Sequence, residues 1–340
     1  MAVTLREIAD RVGKSVTTVS RALAGYSDVS EETRTQVKLV AEELGYEPNI
    51  AAQQLQSRRT NTIAIVLPAA SPGSSDPIFG EFLAGVGIEA AQHSFDLLVS
   101  TRSPGSAEED AYLKQIRSRR ADGFIVIRTR SQDNRIAILQ EHNFPFVAFG
   151  RTERNNDFPY IDEDSEAGIG LVIEHLVGLG HTHLAWIGAP SYLMFSRHRW
   201  HGFKAALASH GLCLDHKLVV EGDLTRQSGY LLAQQLLALP KRPTAIVSCN
   251  DLMALGAMSA AQELGLTVGR DVSITGFDDI SLAEHAHPPL TTIHQPVQAI
   301  GQRACRMLIK IIRHEPLPEQ QILLQPTLVV RKSSGPAGPQ

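Results

Sequence analysis

Two groups of side chains in this sequence have the types and spacing to do chemistry. The first lies in VTTVSR, residues 16–21. The planar donor fork of Arg21 fits the O6 and N7 acceptors of guanine, and Val16 and Thr17 offer apolar or hydroxyl contacts, for example to a thymine methyl. The hydroxyls of Thr4, Ser15, Thr18 and Ser20 suit phosphate oxygens. A solvated hydroxyl-rich helix face would use the same residues with no ligand. The second group is scattered: Phe79, Arg128, Arg151, Arg199, Leu224, Asn250 and Asp278 each follow a short apolar run. Guanidinium forks, amides and carboxylates beside apolar surface suit a polyhydroxyl ligand, because each sugar hydroxyl both donates and accepts. Any one of these is also an ordinary charged loop residue. Their shared placement is what argues for a site.

The elements that must hold the first group are short helices. Leu5, Ile8, Ala9 and Val12 share one helical face, Thr4 and Glu7 form a capping box before it, and Gly13 stops it. Ser15 caps a second helix with Val19, Ala22 and Leu23 inward, closed by Gly25. Ser30 caps a third with Val37, Val40, Ala41 and Leu44 inward, closed by Gly45. Two helices joined by a tight glycine turn form a helix-turn-helix pattern, whose second helix enters the major groove in DNA-binding proteins. A plain three-helix bundle has the same spacing. Pro48 then breaks the chain, and residues 50–57 allow barely two helical turns, marginal alone in water. Leu55 beside Arg58 and Arg59 suits a wedge into a minor groove; a simple linker fits as well.

From Thr62 onward, apolar runs at 62–67, 95–100, 123–127, 144–150, 183–188, 217–222, 244–248 and 272–277 alternate with helical stretches. Buried strands with helical crossovers predict parallel α/β sheets, and eight strands suggest two similar lobes. Ligands of such sheets bind outside the carboxyl ends of the strands, which is where the second group lies.

VTLREIADRVGKSVTTVSRALAG, followed by VSEETRTQVKLVAEELGYEPNIAAQQL, resembles the N-terminal region of the lac repressor and gal repressor (LacI/GalR) family of transcriptional regulators. The resemblance implies that Val16, Thr17 and Arg21 read bases. It also implies a hinge helix over residues 49–57 that folds on DNA, with Asn49 and Ala52 against the duplex and Leu55 inserted at the centre of a palindrome. Lys14 departs from the small apolar residue usual there. VEGDLTRQSGY, the stretch from Arg242 to Ile280, and PPLTTIHQP resemble the family's effector-binding core, itself like a type I periplasmic sugar-binding protein. Effector contacts are thereby implied for Phe79, Arg199, Leu224, Asn250, Asp278 and Gln295; Arg128 and Arg151 occupy pocket-facing positions that vary in the family. The position of Leu224 is often aromatic in relatives. Asp164 matches a family segment in which Ser165 replaces the usual Asn, and residues 162–168 read as a helix start on the hinge side rather than a ligand site. Arg128-Thr129-Arg130 with Phe149-Gly150-Arg151 is similar to regulators of α-glucoside use.

The chain has 340 residues, 43% hydrophobic and 20% charged, which excludes a disordered, collagenous or disulfide-scaffold protein and exceeds one average domain. With no signal-like start and no membrane-length apolar run, a soluble cytoplasmic protein with no membrane partner is expected. Cys213, Cys249 and Cys305 read as small buried hydrophobes of a reducing compartment. The His-X-His pairs at His181–His183 and His285–His287 read as solvated turns, so no metal is expected. No nucleophile-elbow, Walker or paired-carboxylate motif is present, and neither catalytic residues nor a cofactor are expected. The net charge of -4 argues against nucleic acid until it is resolved along the chain: residues 1–27 carry four basic and two acidic groups, whereas 28–48 carry two basic and six acidic.

The expected architecture is an all-α helix-turn-helix domain at 1–46, a hinge at 47–61, a two-lobed α/β core at 62–330, and a flexible tail at 331–340. The expected function is a repressor of a carbohydrate-utilisation operon. It would bind a palindromic operator with a central CG step as a homodimer or larger assembly, under control of a mono- or disaccharide between the lobes. The alternatives are a sugar-binding transport protein, which needs an export signal and no helix-turn-helix, and a cytosolic sugar or nucleotide enzyme, which needs a base or nucleophile in context.

Overall fold

A computed structural model describes residues 3–23, 25–46, 59–69, 76–153 and 156–338. The chain divides into two units, Met1–Arg59 and Thr60–Gln340. The expected hinge helix, with Asn49, Ala52 and Leu55, lies outside the described residues.

The first unit holds α1 (Leu5–Val12), α2 (Val16–Leu23) and α3 (Glu31–Leu44). The Thr4 capping box forms, and Gly13 and Gly45 close their helices in the left-handed conformation that glycine adopts without steric cost. Ile8, Ala9, Val12, Val19, Ala22, Val29, Val37 and Ala41 make its core. Burying these faces holds together three helices too short to persist alone.

The second unit has two lobes. The first is a six-stranded sheet in the order β11-β5-β4-β3-β1-β2. Its strands are β1 (Thr62–Pro68), β2 (Asp96–Arg102), β3 (Gly123–Ile127), β4 (Phe146–Phe149), β5 (Tyr160–Glu163) and β11 (Gln321–Leu324), all paired in parallel. Its helices are α4 (Pro77–Gln92), α5 (Ser106–Ser118), α6 (Asn134–Glu141) and α12 (Val297–Ile312). The second lobe is a four-stranded parallel sheet in the order β7-β6-β8-β9, from β6 (Leu184–Gly188), β7 (Val219–Glu221), β8 (Ala245–Ser248) and β9 (Ser273–Thr275). Its helices are α7 (Ser165–Gly178), α8 (Met194–Ser209), α9 (Arg226–Leu237), α10 (Asp251–Glu263) and α11 (Ser281–His285). A small antiparallel pair, β10 (Thr292–His294) with β12 (Thr327–Val329), completes it. Helix α12 returns to pack on the first lobe, where Val297, Ile300, Ala304 and Leu308 join Ile63, Ile65 and Ile125. The chain therefore crosses between lobes three times: after β5, before α12 and between β11 and β12.

Three expectations are corrected. Cys213 is exposed rather than buried, whereas Cys249 and Cys305 are buried as expected; the helix start read at 162–168 is present, with Asp164 after β5 capping α7 by accepting from the Ala167 amide at 3.1 Å. The tail is ordered through residue 338: Ser333 is fully buried, its hydroxyl donates to the Ile274 carbonyl at 2.6 Å, and the Ala337 amide reaches the Leu179 carbonyl at 2.9 Å. His181 is buried, not solvated, and its ring bonds the hydroxyls of Thr244 (3.0 Å) and Ser273 (2.9 Å) and the Gly335 carbonyl (2.9 Å). The polar composition of SSGPAG suggested a solvated end, but its backbone finds buried partners in this groove.

Each such bond contributes roughly 1 kcal/mol net and more when its loss strands a buried partner. Deleting residues 333–340 should therefore lower the unfolding free energy of the second unit by about 2–4 kcal/mol. Denaturant unfolding of the full chain and the deletion checks this; equal midpoints would mean that the tail is only draped on the surface.

Candidate effector site and DNA-facing surface

Arg128, Leu224 and Asp278 adopt positive φ values of 50°, 72° and 118°, conformations costly for residues with a β-carbon. All three line one cleft between the lobes, which encloses about 710 Å³ of empty space including its open mouth. Phe79, Arg128, Arg151, Arg199, Leu224, Asn250, Asp278 and Gln295 all border it, so the structure brings together the eight residues singled out at strand ends and in the family segments.

The first lobe supplies one wall. Asp76 caps α4 through the Ile78 amide and pairs with the Arg128 guanidinium, which lies 4.5 Å over the Phe79 ring. Arg128 is held there from beneath. Buried Arg135 bonds Asp133 at 2.8 and 2.7 Å, Glu108 at 3.2 Å, and the carbonyls of Ile127 (3.2 Å) and Arg128 (3.0 Å). A buried guanidinium must be paired this fully, and its partners fix the backbone that ends β3. Arg151 donates its Nε to Asp162 at 2.8 Å. Between them, Gly150 has φ +112°, and a β-carbon there would lie 2.4 Å from Thr129 Oγ1. Only glycine lets β4 end so close to the β3 loop.

The second lobe supplies the other wall. Arg199 of α8 is 3% exposed, donates to the Cys249 carbonyl at 2.5 Å and to Asp278 at 3.1 Å, and lies 3.5 Å over the Phe277 ring. Asn250 is the N-cap of α10: its oxygen accepts from the Met253 amide at 3.1 Å and its amide donates to the Leu224 carbonyl at 3.2 Å. This second bond anchors the left-handed Leu224. Asp251 is buried below, taking the Ile280 amide at 2.9 Å and the Thr292 hydroxyl at 2.5 Å, and so fixes the turn that presents Asp278.

The lobes also meet in backbone hydrogen bonds along one side of the cleft. The Met194 amide donates to the Thr129 carbonyl at 3.0 Å and the Ser131 amide to the Tyr192 carbonyl at 3.0 Å, with an Arg197–Glu153 ion pair of 2.7 Å nearby. Each of these must break if the lobes separate.

Residue-by-residue reading missed Asp76 and Asp162. The available signal was that a half-buried Arg128 or Arg151 needs a carboxylate. Asp162 and Ser165 line the cleft, so the segment taken for a helix start alone is also cleft wall. Among the described residues no cluster of three or more His, Cys, Asp or Glu could hold a metal.

Burial pushes the Asp278 carboxyl up to about 7, with Asp76 adding to the shift and Arg199 opposing it. Glu163, the last residue of β5, is 1% exposed, and burial pushes it up to about 8 despite the nearby Arg199. Neither Glu163 oxygen makes a hydrogen bond of normal geometry among the described residues.

In the first unit, Val16, Thr17 and Arg21 are exposed on α2, and Thr18 and Ser20 are half-buried. The Thr4 hydroxyl caps α1, and Ser15 accepts from the Thr18 amide at 3.1 Å. These two hydroxyls orient helix ends as well as facing solvent.

Comparison with known proteins gives concordant results. Residues 4–49 match the family model for bacterial regulatory proteins of the lacI family, and 173–334 match a periplasmic binding protein-like domain. The HTH-type transcriptional regulator AglR of Rhizobium meliloti (strain 1021) is 38% identical, covering 99% of this chain and 96% of its own length. A lac repressor dimer bound to operator and the anti-inducer ONPF superposes with TM-score 0.87 at 31% identity, covering 98% of this chain and all of that one. A complex of the transcriptional regulator CelR with cellobiose gives 0.76 at 30% identity, covering 97% and 99%.

A carboxyl raised in the folded state binds more protons there than in the unfolded chain. Its stabilisation is complete below the unfolded value of about 4.5 and is lost as pH rises through the folded value near 8. Glu163→Gln should remove this loss and raise the unfolding free energy at pH 8.5 by roughly 2–4 kcal/mol relative to the parent, with little difference at pH 5. Thermal unfolding at both pH values decides it; parallel pH profiles would show that Glu163 is already ionised at neutral pH.

Proposed function

This chain belongs to the lacI family of bacterial transcriptional regulators, and from that premise we propose that it represses a carbohydrate-utilisation operon under control of an uncharged mono- or disaccharide held between its lobes. Charge balance in the cleft carries the choice of ligand. Each lining arginine already has a carboxylate: Arg128 with Asp76, Arg151 with Asp162, Arg199 with Asp278. A phosphorylated ligand would find no unpaired cation among these and would add charge beside three aspartates. Each Arg–Asp pair instead presents donors next to acceptors, the pattern of neighbouring hydroxyls on a sugar. Phe79, Phe195 and Leu224 give apolar cover for a sugar ring. The cellobiose in the CelR complex supports a saccharide of this size, and the similarity of the 128–130 and 149–151 segments to regulators of α-glucoside use puts α-glucosides first for testing.

In this mechanism the protein acts in the cytoplasm as a homodimer on a palindromic operator. One recognition helix covers too few base pairs for specificity, and a two-fold dimer reads two half-sites. Exposed Ile88 and Val99 on one lobe and Leu231 and Leu282 on the other supply apolar surface for an interface. The α2 residues Val16, Thr17 and Arg21 read bases, while residues 49–57 fold on DNA and place Leu55 at a central CG step. With few basic groups per protomer, non-specific binding is weak, and tight binding draws on dimerisation and hinge folding. The saccharide shifts the lobe arrangement only through its different affinity for the arrangements.

A gel shift with palindromic duplexes bearing a central CG step, with and without neutral saccharides, tests this reading. A sequence-dependent shift altered by at least one saccharide is expected. No shift even at low salt would refute it. Arg199→Ala should keep DNA binding and lose the saccharide response; a persisting response would place the ligand elsewhere.

A further inference from the structure

We propose that Asp28 is a specificity-determining residue that works with Arg21 to read a single G·C pair. This rests on α2 being the helix that enters the major groove. The Arg21 guanidinium forms an ion pair with the Asp28 carboxylate and lies 5.1 Å over the Tyr26 ring. The loop that carries Asp28 is held rigidly. Gly25 turns it with φ +77°, and Tyr26 returns its amide to the Arg21 carbonyl at 3.1 Å. Val29 is buried in the helical core. From below, Arg34 donates to the carbonyls of Tyr26 (3.0 Å) and Val29 (3.2 Å) while pairing with Glu31 at 2.8 Å. Asp28 therefore reaches Arg21 from a braced backbone.

The side chains of Arg21 and Asp28 are 46% and 51% exposed, so water screens their attraction and the pair adds little to stability. Its chemistry suits recognition better. In the major groove a G·C pair presents the guanine N7 and O6 acceptors beside the cytosine N4 donor. Arg21 has enough N–H groups to give two to guanine and keep another for Asp28, and the carboxylate then accepts from cytosine N4. An exchanged pair leaves that carboxylate desolvated and unpartnered, or facing the O4 of thymine. Asp28 also repels phosphates, which lowers affinity for any duplex lacking a matching donor. Discrimination thus arises from a penalty on wrong sequences as well as from attraction to the right one.

The experiment uses the full chain, Arg21→Ala and Asp28→Asn, each selected on a pool of duplexes with a randomised central 20 base pairs. Affinities are then titrated on the best duplex, on the same duplex altered at the pair where Arg21→Ala loses preference, and on an unrelated duplex at several salt concentrations. For the parent, a strict G·C preference at one position per half-site is expected. Asp28→Asn, checked for an unchanged melting temperature, should lower discrimination there about 5- to 30-fold. It should also bind the unrelated duplex more tightly, with a steeper salt dependence. Unchanged discrimination and salt slope in Asp28→Asn would overturn the role of Asp28 while leaving α2 as the reading helix. An equal loss on all duplexes would do the same, by showing a structural role. Absence of sequence preference in the parent would overturn the underlying placement of α2, and this inference with it.

Discussion

Arg199 is a full charge taken almost entirely out of water, and the second unit is arranged around keeping it there. A buried guanidinium is tolerated only when its donors are met and its counter-charge is near. The Cys249 carbonyl just after β8 and Asp278 after β9 accept from its two Nη groups and the Phe277 ring covers its face, while its buried Nε makes no hydrogen bond among the described residues. Asp278 in turn needs a strained turn, which Asp251 and Thr292 hold. One charge thus fixes the relative positions of α8, the ends of β8 and β9 and the approach to the crossovers. The cost of that burial is a reason for the site to be well organised before any ligand enters.

The same logic repeats in the first lobe at lower burial. Arg135 anchors the end of β3, and Arg128 and Arg151 project from anchored backbone toward Asp76 and Asp162. Both walls therefore offer fixed donor–acceptor pairs that face one cleft. The backbone bonds between Thr129–Ser131 and Tyr192–Met194 tie the two lobes in one arrangement, and each would have to break in a more open one. A ligand that favours or opposes it can change the equilibrium only by its differential affinity.

The helix-turn-helix unit was legible in the sequence nearly to the residue, because caps and glycine stops act locally: Thr4 with Glu7, Ser15, Ser30, Gly13 and Gly45 all do what their types suggest. Strands flanked by apolar neighbours on both faces were legible too. β5, β10, β11 and β12 were not, since carboxylates or prolines interrupt their short apolar runs (YIDED, TIHQP, ILLQPT) and each pairs with a partner distant in sequence, as β11 does with β5. The carboxylates of the cleft were hidden for the same reason. Nothing local marks Asp76 as the partner of Arg128, 52 residues away. The C-terminal segment looked like a polar tail because the groove that receives it, with His181 and Ser273, is assembled from three separate elements. The net charge of -4 concealed the segregation between a basic α1–α2 segment and an acidic α3.

In the proposed mechanism the saccharide-binding cleft and the DNA-reading surface are energetically coupled. Reciprocity makes this directly measurable: the saccharide affinity of the full chain, free and saturated with its operator duplex, must differ by the same factor by which the saccharide changes operator affinity. Calorimetric titration of the best-binding neutral saccharide into both forms should give dissociation constants differing by about 5- to 150-fold. Identical constants in the two forms would contradict the account.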